Sequence, residues 1–164
     1  MSKISILMLA LLVVSGCKSR EEPPEQSTVE TASSGVPELP PPVRIDPRAR
    51  EILDGWAEYQ SLEERMAVLA GAGDEEEMKL LLEELSQICD QLEKNPIPEA
   101  FDQPSVRSRF KVVRTYLGKL EAALFYRLDY REPLFELMES YNALREQFNV
   151  ITSSTLSPDI FEDE

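Results

Sequence analysis

The sequence predicts an all-α fold, an up-down antiparallel four-helix bundle carried behind a signal peptide and a disordered tether, and three observations predict it. Apolar residues between positions 46 and 150 recur in steps of three and four, the spacing that gathers side chains on one face of a helix. Four such stripes are separated by short breaks built from Gly, Pro, Asn and Asp. No stretch alternates apolar and polar residues with the period of two that a half-buried strand needs.

The first element is a leader. Lys3 precedes an apolar run from Ile4 to Val14, broken only by Ser5, and the chain then turns to small residues and Cys17. The run meets Lys18, Arg20, Glu21 and Glu22 before it reaches the about 20 apolar residues that a membrane-spanning helix needs, so residues 1–16 read as a signal peptide. Val14-Ser15-Gly16-Cys17 resembles the bacterial lipobox, a branched apolar residue and two small ones before a cysteine. The resemblance implies a bacterial lipoprotein whose Cys17 becomes the mature N-terminus, with a diacylglycerol thioether and an acylated amine, palmitate among its chains. About two buried chains suffice for stable anchoring. Lys18 stands where an aspartate would resemble an inner-membrane retention signal, which implies the outer membrane; the periplasmic and the outer face stay open.

Across the whole chain 31 acidic residues oppose 17 basic ones, a formal charge of −14, and removal of the leader takes away only Lys3. Such a field repels nucleic acid and anionic surfaces and favours cations or basic partners, so no nucleic-acid partner is expected. With Cys17 consumed by lipid, Cys89 is the one remaining thiol, and no intramolecular disulfide can form. The fold must rest on its core.

Residues 17–45 hold the lipidated Cys17 and a stretch rich in Pro, Ser, Thr and Glu, including Pro40-Pro41-Pro42, with no apolar period. This reads as a disordered tether, a coil of roughly 30 Å average span, with only Val36, Leu39, Val43 and Ile45 able to pack on anything. The bundle is expected over residues 46–150. Asp46-Pro47 supplies an N-cap and a proline at the first helical position, and Ile52, Trp56, Tyr59, Leu62, Met66 and Leu69 carry the first helix to Gly71-Ala72-Gly73. Asp74 and Glu75-Glu76-Glu77 start the second in the manner of a capping box, and Met78, Leu81, Leu85, Ile88 and Leu92 run to Lys94-Asn95-Pro96. A proline-bearing connector leads to Asp102-Gln103-Pro104 and the third helix, with Val106, Phe110, Val113, Leu117, Leu120 and Leu124 as its seam. After a break from Asp129 to Pro133 the fourth follows on Leu134, Leu137, Tyr141, Leu144 and Phe148. Residues 151–164 read as an acidic mobile tail. The competing architecture is a helical hairpin completed by a second copy, a homodimer, since stripes alone do not name the neighbour that covers them.

The chain has no histidine, which removes the commonest general base and metal ligand. No Gly-x-Ser-x-Gly elbow, phosphate-binding loop, Glu-x-x-His pair or cysteine cluster is present, so neither catalysis nor a metal or other cofactor is expected. Cys89, beside Ile88 on an apolar edge, reads as a buried residue with a raised pKa rather than a redox thiol. Glu75, Glu76 and Glu77 diverge by about 100° each and do not converge on an ion. The basic stripe Arg107, Lys111 and Arg114 is expected to pair with Glu83, Glu84 or other acidic helices.

Phe125, Tyr126, Tyr130 and Phe135 gather at the turn between the third and fourth helices, and Phe125 and Phe135 fall outside the regular seams. They form a candidate partner contact, the structural alternative being a cap over that end of the bundle. Antiparallel topology would set this turn opposite the end where the tether joins. The expected function is a non-enzymatic protein-binding or assembly module on the bacterial cell envelope; the alternative is a carrier of a small molecule or metal cation in an interhelical pocket.

Overall fold

A computed structural model describes residues 38–154. Within them the fold is all-α: five α-helices and one 3-10 turn, without a strand among the described residues. The expected signal peptide, Cys17 and the part of the expected tether up to residue 37 lie outside the described residues, as does the part of the expected tail from residue 155.

The region expected to form one first helix forms two, α1 (Pro47–Leu53) and α2 (Ala57–Ala70). Asp46 caps α1 by accepting from the Arg48 amide at 2.9 Å. The break falls at Asp54-Gly55, where the Gly55 and Trp56 amides turn back to the Ile52 and Leu53 carbonyls. It swings Trp56 inward, where the indole is buried among the rings of Tyr59, Phe110 and Phe148 at centroid distances of 5.9, 5.7 and 6.4 Å. The buried indole removes a large apolar area from water, although its Nε1 finds no hydrogen-bond partner among the described residues.

Helix α3 (Glu75–Lys94) starts as the sequence predicts: Asp74 accepts from the Glu77 amide at 2.9 Å while the Glu77 carboxylate accepts from the Gly73 amide at 3.0 Å. In the proline connector a 3-10 turn, Glu99–Phe101, drops Phe101 fully into the core against Phe148, 4.6 Å between centroids. Helix α4 (Pro104–Phe125) buries Val106, Phe110, Val113, Leu117, Leu120 and Leu124, the whole predicted seam. Helix α5 is Arg131–Ser154, and its buried face runs past the expected end to Ile151 and Thr152. The boundary expected at residue 150 is therefore corrected: the first four residues assigned to the tail are helix. The most extensive contact is between α4 and α5, then α2 with α3 and α3 with α4. One continuous core joins them, with α1 against α5.

The last residues of the stretch expected as a disordered tether, through Ile45, pack on the helices instead. Residues from Pro41 onward form an extended strap on α5, held by a polar stripe at helical spacing. Asn142 accepts from the Val43 amide at 2.9 Å and donates to the Pro41 carbonyl at 2.9 Å. Arg145 donates to the Val43 carbonyl at 2.6 Å. Asn149 donates to the Arg44 carbonyl at 2.9 Å and accepts from the Asp46 amide at 2.7 Å. Leu39 packs on the core and Ile45 enters it. An extended backbone must find partners for its amides and carbonyls, and here α5 side chains supply them. Contacts advance in the same order along strap and helix, so the strap runs parallel to α5 and begins toward the Arg131 end.

Beneath the strap, Glu63 of α2 holds two cations. It accepts from Arg50 at 2.6 and 2.9 Å and from Arg145 at 2.7 Å. The Arg50 hydrogen bonds and then both positive charges keep the Glu63 carboxyl below its ordinary range against the opposing effect of burial. This cluster ties α1, α2, α5 and the strap together.

Candidate functional site

The first residues of α3 lie beside the last of α4, and between them is a groove of about 710 Å³. Leu82 and the small residues Gly118 and Ala122 line it together with Lys79, Glu83 and Glu121, and Leu124 and Phe125 at the end of α4 with Tyr126 and Arg127 of the turn close one end. A Cβ built on Gly118 would meet nothing within 4 Å, so the groove is deepened there by an absent side chain. Glycine in a helix interior costs about 1 kcal/mol relative to alanine, and open space at the position gives no packing reason for it. Burial pushes the Glu121 carboxyl up against the pull of Arg114, and nearby Glu83 adds to the rise. Lys79 is paired with Glu76 at 2.6 Å.

The turn that overhangs this groove has an unusual build. The Leu128 amide bonds the Ala123 carbonyl at 2.8 Å and the Arg127 amide bonds that of Leu124 at 3.3 Å, the pattern of a Schellman C-cap. Arg127 takes the left-handed position, φ 56°, where glycine is usual and an L side chain is strained by about 1–2 kcal/mol. Leu128, placed where such a motif normally folds an apolar side chain back on the helix, is instead 62% exposed. Phe125 is 78% and Tyr126 68% exposed, and their rings meet edge-on at 5.0 Å.

The four aromatic residues singled out in the sequence therefore divide. Phe125 and Tyr126 are together and outward; Tyr130 is partly buried against the core and Phe135 is partly buried on α5. The turn lies opposite the start of α1, as expected, since the Asp46 amide bonds Asn149 toward the far end of α5, but the strap carries the preceding residues back along α5. Because the strap begins toward the Arg131 end of α5, the described chain starts on the side of the aromatic turn rather than opposite it. Leu128, Arg127 and Gly118 were not singled out in the sequence; the one signal was an isolated glycine inside the strongest helical seam.

Other candidates have structural roles. Cys89 is buried, and burial first, then Glu93, Asp90 and Glu121, push its thiol up to about 11, with Arg114 opposing. Arg114 pairs with Asp90 at 2.7 Å and Glu93 at 3.8 Å rather than with Glu83 or Glu84, and Arg107 pairs with Asp102 at 2.6 Å. Glu84 is held by Arg65 at 2.9 Å instead. Among the described residues no three His, Cys, Asp or Glu side chains converge where a metal could sit, and no helix is long and apolar enough to cross a membrane. No family model, curated protein or solved structure matches the chain.

Proposed function

We propose that the chain is a bacterial lipoprotein, held to the outer membrane by lipid on Cys17, whose helical body is a non-enzymatic binding module for another protein of the envelope. In this reading the body is an up-down antiparallel four-helix bundle, with α1 and α2 together forming its interrupted first member. The observation that carries the binding role is Gly118: it forgoes helix stability and opens the α3–α4 groove beside exposed Phe125 and Tyr126. A groove between helices with aromatic side chains at its rim suits an amphipathic segment laid along it. The groove volume of about 710 Å³ also favours a second reading, a small-molecule carrier, since ligand pockets span about 300–1,000 Å³.

Gly118→Trp separates binding from folding, because the new ring has space and removes a helix glycine. Wild-type and variant lipoprotein are cross-linked in their own envelope and melted in parallel. The module reading expects the wild-type cross-links to disappear from the variant while its melting temperature stays level or rises. Cross-links unchanged by the filled groove would refute it. A small-molecule stabilisation of wild type, lost in the variant without any change in cross-links, would establish the carrier instead.

A further inference from the structure

Among the described residues six large apolar side chains are exposed, and five of them, Val68, Leu80, Phe125, Tyr126 and Leu128, belong to one end of the molecule. Val68 lies at the close of α2, Leu80 in the second turn of α3, Phe125 at the end of α4, and Tyr126 and Leu128 in the turn after it. The α3–α4 groove shows that the start of α3 and the end of α4 are neighbours, which brings these residues to a common end. The strap begins on the side of this same end. Twenty residues separate Cys17 from Glu38. In the lipoprotein reading the anchor on Cys17 therefore joins the described residues from the side of this end, which favours this end over the far one as the face toward the bilayer.

We propose that this end is a lipid-contacting surface: Phe125, Tyr126 and Leu128 enter the headgroup region of the bilayer that carries the anchor. The proposal rests on the lipoprotein reading for its anchor, not for its surface. Aromatic side chains concentrate at membrane–water interfaces, where an apolar ring and a polar edge are both accommodated. Arg127, in the left-handed position of the same turn, stands between Tyr126 and Leu128, so the turn presents two rings and a leucine outward together. Charge selects the lipid. The acidic start of α3, Asp74 to Glu77, shares this end and outnumbers Arg127 of the turn, so zwitterionic headgroups are favoured over anionic ones. With the end seated, the groove opens beside the membrane surface, and the protein partner it takes is one whose segment emerges at that surface.

The test uses F125W in the mature full-length chain, with Trp56, the only native tryptophan and buried among core rings, as the internal control. One sample keeps the native N-terminus; the other carries a histidine tag at residue 17 and sits on nickel-chelating phosphatidylcholine vesicles with brominated acyl chains. Rings buried about 5–10 Å into the interface lie within reach of such quenchers, so the added tryptophan should lose roughly half or more of its emission while wild-type Trp56 keeps its own. Replacing a third of the phosphatidylcholine with phosphatidylglycerol should reduce the quenching. An added tryptophan left unquenched on the nickel vesicles overturns the proposal, and so does equal quenching of Trp56. Emission that is unchanged by vesicles but shifted by solubilised envelope protein overturns it in favour of a protein contact. Intact mass of the native sample reads the anchor separately: no lipid on Cys17, with quenching on nickel vesicles, removes the lipoprotein reading and leaves the lipid-contacting surface standing.

Discussion

Around Phe148 the rings of Trp56, Tyr59, Phe101 and Phe110 lie 4.6 to 6.4 Å away, all buried, near one end of the helices. At the other end Phe125 and Tyr126 meet at 5.0 Å with most of their surface in solvent. The residue types and the ring spacing are alike, yet the surroundings differ. The first cluster removes apolar area from water on folding and stabilises the helical core; the second leaves its area available for an external surface. An aromatic pair identifies a binding site only when its burial is known, and burial here follows from the backbone: the break at Gly55 turns Trp56 in, whereas Phe125 and Tyr126 stand at the end of α4, where no further turn covers them.

The contrast predicts a graded series of losses. Phe148→Ala removes the ring shared by the whole buried cluster and should cost about 3–5 kcal/mol in denaturant unfolding of the full chain. A loss under about 1 kcal/mol would mean that the cluster does not organise the core. Arg145→Ala comes next. It leaves the Val43 carbonyl without its donor and Glu63 with Arg50 alone, and should cost about 1.5–3 kcal/mol, with faster proteolysis between residues 38 and 45.

The same cluster has a pH signature. The Glu63 carboxyl titrates below its ordinary 4.5, so its contribution is complete above that pH and is lost as pH falls through the lower folded value. Wild type should therefore lose stability below about pH 4.5, and Glu63→Gln should show a shallower acid dependence. Parallel acid profiles for the two proteins would remove Glu63 from the account.

The seams of α3, α4 and α5 were legible because a helix writes its buried face at steps of three and four. The break between α1 and α2 was not, since Ile52 and Trp56 keep a helical step of four across it and only Asp54-Gly55 marks the turn. The strap escaped for a different reason: an extended proline-rich segment has no period, and its partners lie about a hundred residues away. Asn142, Arg145 and Asn149 do form a polar stripe at helical spacing beside the apolar one, and that was the available clue. Asn149 read as a stop although Leu144, Phe148 and Ile151 continue the seam. At the aromatic turn composition located the site, but only the backbone separates outward Phe125 and Tyr126 from partly buried Tyr130 and Phe135.

The central claim is that the exposed aromatic end serves contact rather than folding, and Phe125→Ser combined with Tyr126→Ser tests it most directly. The melting temperature of the full-length variant is measured beside its cross-linking yield in the native envelope, with Cys17 unchanged in both proteins. Exposed side chains contribute little to folding, so stability should stay within about 0.5 kcal/mol of wild type while the cross-links are lost. A large fall in melting temperature, with cross-links reduced only in proportion to the folded protein, would contradict the claim and make this end a structural cap.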